Sequence, residues 1–282
     1  MRELYKDKLP QWFKEDKRYE LILSDDIDSL ASCMVLKEVK NWNIEYFYNF
    51  KGMGKTKRAT ENVDNQVGVD IALCNGKTFD NHVVKLHRED EVNPLSINFN
   101  VMEEIHRGKY FQKYCGSTLL LVWSLFDLPL PKSEEGKMIL LAIDSTQSGY
   151  YSTYDNDKRA NKHYLCNVLE FEELYDVLGR HKSHEFAKLY NKYSMGRHNG
   201  KIVADKGKLT TNLKLDELSK ELDISLELPT DLFYNYKEFD LIEHELAYSR
   251  MYSTKRDDVV SNPYSLAVTG QNYVKYSTER EG

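Results

Sequence analysis

The stretch LILSDDIDSLASCMVL, residues 21–36, decides how this chain is read. It opens on apolar residues suited to a strand and places Asp25, Asp26 and Asp28 within four positions. It then turns amphipathic, with Leu30, Cys33, Met34 and Leu36 at helical spacing and Ser29 or Asp28 able to cap the helix. Carboxylates crowded at such a junction repel one another. At about 4 Å and an effective dielectric of about 20, each like-charge pair costs roughly 4 kcal/mol. A grouping of this kind asks for cations.

Working outward, YELILS (19–24), IEYFYNF (44–50) and VGVDIAL (67–73) read as strands. KTFDNHVV (77–84) reads as a fourth after the turn at Asn75-Gly76, and KMILLAIDST (137–146) as an apolar strand closing on Asp144. CGSTLLLVWSLFDL (115–128) reads as a buried helix. Strands alternating with helices predict an α/β fold, a mainly parallel sheet flanked by helices. Residues 155–195 are charged and helical, and the tail NPYSLAVTGQNYVKYST (262–278) alternates like strands joined at Thr269-Gly270. The expected organisation is a metal-binding catalytic domain over 1–150, a helical linker over 151–185 and a smaller C-terminal α+β substrate-binding domain over 186–282.

Composition narrows the function. The chain has 282 residues, 41% of them hydrophobic, enough for a proper core. Its net charge of −6 argues against coating nucleic acid by bulk electrostatics, but not against a nucleotide-cleaving enzyme whose acids bind cations. The longest apolar run, around Leu119 to Phe126, is too short to span a membrane, and the N-terminal residues lack a secretory signal. The four cysteines show no C-x-x-C spacing and read as reduced thiols, so a cytoplasmic location is expected.

Ligands in open parallel sheets bind beyond the carboxyl ends of the strands. Asp26 and Asp28, then Asp70, then Asp80-Asn81-His82, then Asp144 all fall at such ends. Each has an ordinary reading alone: helix-capping acids, a turn former at Asp144, a core histidine at His82, and Asp64 as a rival for the role of Asp70. Together they converge as a hard, oxygen-rich donor set with one imidazole, which suits manganese or magnesium better than zinc. GMGKT (52–56) is not a phosphate-binding loop, because the required first glycine is Asn49, though Lys55, Lys57 and Arg58 could touch phosphates.

In order and spacing, residues 19–150 resemble the DHH phosphoesterase family of RecJ-type exonucleases, nanoRNases, cyclic-dinucleotide phosphodiesterases and some pyrophosphatases. The family's H-x-D-x-D corresponds to Ser24-Asp25-Asp26-Ile27-Asp28, its lone aspartate to Asp70, its D-H-H to a variant Asp80-Asn81-His82, and its later aspartate to Asp144. The resemblance implies two Mn²⁺ ions, or Mg²⁺, held by Asp26, Asp28, Asp70, His82 and Asp144, with Asp70 bridging. It implies Asp80, Asn81 and His82 at the catalytic positions and two-metal hydrolysis of phosphodiester bonds. The substrates would be short oligonucleotides, single-stranded nucleic acid or cyclic dinucleotides. Ser24 in place of a histidine ligand, and Asn81 in place of the first signature histidine, point to an alternative: a catalytically degenerate member that binds a nucleotide or a partner protein. A pyrophosphatase-like hydrolase of small phosphates is the third reading. Candidate substrate contacts are Ser24, Arg88, Lys275 and the histidine of MGRHNG (195–200), which is His198 and follows Arg197. Expected partners are thus a nucleotide or short nucleic acid and no membrane, with homodimer formation allowed.

Overall fold

The structure, a computed structural model, describes residues 1–196 and 198–280. Its strands in chain order are β1 (Glu20–Leu23), β2 (Asn43–Tyr48), β3 (Gly52–Lys55), β4 (Gln66–Val69), β5 (Lys77–Phe79), β6 (Ser96–Ile97), β7 (Ile202–Asp205), β8 (Lys208–Thr211), β9 (Tyr234–Glu245), β10 (Ser265–Gly270) and β11 (Tyr273–Glu279). Nine of them form one sheet in the order β10-β11-β9-β3-β2-β1-β4-β5-β6, and β7 and β8 form a separate hairpin. The run β2-β1-β4-β5-β6 is parallel, whereas β3, β9, β11 and β10 pair antiparallel. The fold is therefore mixed α/β.

Strand β1 shows why the apolar run of residues 21–23 sits at the centre. Leu21 and Leu23 face the main core beneath the helices, while Ile22 faces a second core with Tyr46, Tyr48 and Phe239. Burial on both faces demands an unbroken apolar strand. Strand β4 sends Val67 and Val69 into the main core. Between them, a Cβ on Gly68 would lie 2.8 Å from Leu73 Cδ1 and 2.9 Å from Thr78 Oγ1, so glycine is what lets the following loop fold back over the strand.

The helix Ile27–Lys40 follows β1, begins at Asp26 and ends at Asn41, whose φ of 55° is the left-handed closure common at helix ends. It packs against the wholly buried helix Thr118–Leu125. Leu174, Val177, Leu178, Phe186 and Leu189, from the charged helices of residues 155–195, belong to the same core. Their polar faces are solvated and their apolar stripes are packed.

One expectation needs correction and another is not confirmed. Residues 137–146 are not a strand: Glu134–Ala142 is a helix capped by the Ser133 hydroxyl, which accepts from Gly136 N at 2.8 Å. A short, fully buried apolar run fits either element, and the Ser133 cap with Glu134 and Glu135 in the first turn decides for helix. A separate C-terminal domain is not confirmed either, because β9, β10 and β11 extend the main sheet. That antiparallel half curls over the parallel strand ends. Leu266 N donates to Ala72 O at 2.9 Å and Val268 N to Val83 O at 2.7 Å, which lays β10 across the loops leaving β4 and β5. Among the described residues no helix is long and apolar enough to cross a membrane.

Candidate metal centre

The loop after β1 is closed from within. Ser24 N donates to Ser29 Oγ at 2.8 Å, and Ser29 Oγ donates to Val69 O at 2.7 Å, tying the loop to β4. Asp26 caps the helix by accepting from Ser29 N at 3.3 Å. Asp28 is thereby set in the first helical turn, buried, with its carboxylate on the N-terminus of a second helix: it accepts from Thr118 N at 2.8 Å and Leu119 N at 2.7 Å. Such N–H groups lack partners within their own helix and favour an anion.

Thr118 also donates through Oγ1 to Asp70 Oδ1 at 2.9 Å, linking the first and second motifs. Asp70 follows β4 with φ of 58°, a left-handed conformation that few side chains adopt, held by its N–H on Phe79 O at 2.9 Å. Asp80 follows β5 with its carboxylate fully buried between His82 Nδ1 at 2.7 Å and Asn98 Nδ2 at 2.8 Å. Asn81 donates to Asp144 Oδ2 at 2.6 Å and to Gly116 O at 3.0 Å. Asp144 itself lies in a tight turn after the 134–142 helix, where φ is 51° at Asp144 and 59° at Ser145.

Four segments thus bring their acids to one rim, as their order along the chain anticipates. Asp70, Asp80 and His82 each offer a ligand atom, and these atoms lie within 4.8 Å of one another, a group that could hold a metal ion. Electrostatics point the same way. Burial, reinforced by the charges of Asp70, Asp144 and Asp26, pushes the Asp28 carboxyl well above its usual range. Burial and the Asp26 charge do the same to Asp70, against the pull of His82. Burial raises Asp144 against His82 and Lys113. Burial works against a charged His82 ring, but the Asp80 carboxylate outweighs it and holds the pKa up at about 10. The donor set fits a hard divalent cation: oxygens dominate, one imidazole completes it, and Asn81 Oδ1 and Ser24 Oγ are buried without hydrogen-bond partners.

A cation of the chain's own also reaches this rim. Lys201 Nζ lies 2.7 Å from Asp25 Oδ1 and 3.5 Å from Asp26 Oδ2. Lys201 immediately precedes β7, and Ile202 N donates to Asp25 O at 2.8 Å, which fixes the lysine beside the first motif. A cavity of about 380 Å³ adjoins the centre, with Asp70, His82 and Lys201 on one side and Phe50, Lys275 and Tyr276 among its other walls.

The remaining sequence candidates separate. Lys275 lines that cavity and pairs with Glu243 at 3.1 Å. Ser24 is buried in the first loop. Arg88 and His198 are exposed and do not line the cavity, Arg197 lies outside the described residues, and Asp64 is exposed on a short turn. Lys55 pairs with Glu61, and Arg58 bonds both Asp231 oxygens at 2.7 and 2.8 Å, while the exposed Lys57 lies over the Tyr234 ring at 5.5 Å. Sequence reasoning missed Asn98, Thr118, Lys113 and Lys201. The one local signal was Asn98-Phe99-Asn100, whose first amide fixes Asp80 and whose second donates to Asn81 O at 2.7 Å. The chain matches no protein-family model, no curated protein and no solved structure.

Proposed function

We propose that the protein is a Mn²⁺-dependent phosphoesterase that hydrolyses phosphodiester bonds of short oligonucleotides, single-stranded nucleic acid or cyclic dinucleotides. The observation that carries this reading is the meeting of carboxylates from four chain segments, with those of Asp28, Asp70 and Asp80 buried, around one imidazole and beside a cavity that also presents lysines. Asp70, Asp80 and His82 would hold the ion, with Asp28 and Asp144 adding negative charge around it. A divalent ion held there would supply positive charge opposite the phosphoryl oxygens and a means of activating water near neutral pH.

The chain's own groups do the rest. Asp80 fixes the His82 ring through Nδ1, which leaves Nε2 to ligate or to carry a proton. Lys201 and Lys275 offer ammonium groups to substrate phosphates within the cavity, while Phe50 and Tyr276 offer ring faces to a base. Asn81 is an amide and cannot transfer a proton; its Nδ2 instead holds the Asp144 carboxylate in place.

The test is turnover by the purified chain on labelled short oligonucleotides, single-stranded DNA and cyclic dinucleotides, with Mn²⁺ and with chelator. Cleavage that needs Mn²⁺ and disappears in Asp80→Ala is expected; a full panel left intact sinks the enzymatic reading. Calorimetric binding of an uncut substrate would favour the degenerate alternative, which the tethered amide at Asn81 motivates.

A further inference from the structure

We infer that the centre takes one divalent ion per chain and that the Lys201 ammonium, seated on Asp25 and Asp26, stands where a second ion would be held. This rests on the proposed metal-dependent reading and changes its stoichiometry. A second ion at this end of the rim would draw on the carboxylates of Asp25 and Asp26, the two acids that Lys201 faces. What sets Asp26 apart from the other acids of the rim is the ammonium it already faces: Oδ2 lies 3.5 Å from Lys201 Nζ, while Oδ1 accepts from the helix N–H of Ser29 at 3.3 Å. Asp25 Oδ1 lies closer still to the ammonium, at 2.7 Å.

The lysine is placed by its backbone as well as by attraction. Ile202 N donates to Asp25 O at 2.8 Å, and Lys201 O accepts from Thr211 Oγ1 at 3.1 Å, so the start of the β7–β8 hairpin is pinned against the loop after β1. A tethered ammonium is present at high effective concentration and repels a dication brought next to it. The other half of the rim differs. Asp70, Asp80 and His82 form the one set of three His, Cys, Asp or Glu ligands within metal-binding reach among the described residues. Lys201 lines the same cavity as Asp70 and His82, so its charge remains beside the substrate while occupying the first motif.

The experiment is Mn²⁺ loading of the full chain, read by elemental analysis after desalting and by electron paramagnetic resonance. One Mn²⁺ per chain with an uncoupled six-line spectrum is expected. Two ions with a spin-coupled spectrum overturn this inference and leave the phosphoesterase reading standing, whereas no bound ion overturns both. Lys201→Met, at a partly exposed position, should raise the stoichiometry from one to two and introduce coupling, and Lys201→Arg should keep it at one. A folded Lys201→Met protein that still binds one ion removes the lysine from the role.

Discussion

Asp26 and Asp28 stand two residues apart and live in opposite circumstances. The Asp26 side chain is 36% exposed, caps its own helix and faces an ammonium. Asp28 is 3% exposed, is held by two backbone N–H groups of another helix, and feels the charges of Asp70, Asp144 and Asp26. The first acid is balanced by the chain itself. The second belongs to a buried group of like charges whose ionised forms burial and repulsion both disfavour. The contrast divides one sequence motif into a half faced by the chain's own ammonium and a half set among other acids.

Asp70→Ala strikes the uncompensated half hardest. It removes a proposed ligand at the point where the second and third motifs meet, and on that proposal the loss of several kcal/mol of charge stabilisation predicts a fall in kcat/KM of at least about 10³-fold. Steady-state kinetics on any substrate that the panel identifies would check it. Near-native turnover would mean that the buried acids are not the reacting centre.

Asn98→Ala tests the support behind that centre. Its amide donates to Asp80 Oδ2 at 2.8 Å and to His82 O at 2.8 Å, so its loss frees both the carboxylate and the histidine loop. Partners behind the ligands of this kind change metal affinity by about 10- to 100-fold. Titration calorimetry with Mn²⁺ should show weakening in that range, and an unchanged affinity would show that Asp80 is oriented without Asn98.

How far each part could be read from the chain follows from the range of the signals involved. Residues 21–36 carried their strand, turn and helix locally, through an apolar run, capping acids and helical spacing, and the structure has them there. The convergence of Asp26, Asp28, Asp70, Asp80 and His82 was legible because parallel strands deliver their carboxyl ends to one side. The element carrying Asp144 was misread, since buried apolar runs of that length lack a distinguishing period, yet Asp144 still arrives through a turn with φ of 51°. Lys201 could not be found this way. It meets Asp25 across 176 positions, and nothing in its neighbourhood encodes the pairing. The curl that brings Lys275 over the strand ends is likewise set by long-range pairing of β9, β10 and β11.

The like-charge half also sets a pH response. The folded-state pKa values of Asp28, Asp70 and Asp144 are raised, so the protonated forms are favoured in the folded chain. The stability they contribute is complete below the ordinary carboxylate value of about 4 and is lost as pH climbs through the raised values. His82 has the same sign: raised to about 10, it contributes stability below its unfolded value of about 6.5 and loses it as pH rises toward 10. Melting temperatures of the metal-free protein should therefore fall between pH 5 and 9 (on the order of the window these values define), and saturating Mn²⁺ should raise them most at the alkaline end. A flat profile in chelator would mean that the acids are already neutralised from within.

Asp25→Asn acts on the compensated half and has the smallest expected effect. It removes the closer of the two carboxylate partners of Lys201, but the lysine side chain is 37% exposed and Asp26 remains within 3.5 Å. The Asp25 side chain is 19% exposed, so the pair is partly open to solvent and is worth on the order of 1 kcal/mol, which denaturant unfolding would read as a slight lowering of the midpoint with an unchanged slope. Salt separates this pair from the buried one. Raising ionic strength should erase the difference between Asp25→Asn and the parent, because water reaches the pair and screening follows. A loss that is large and independent of salt would place Asp25 with Asp28 among the buried charges and remove the distinction between the two halves of the motif.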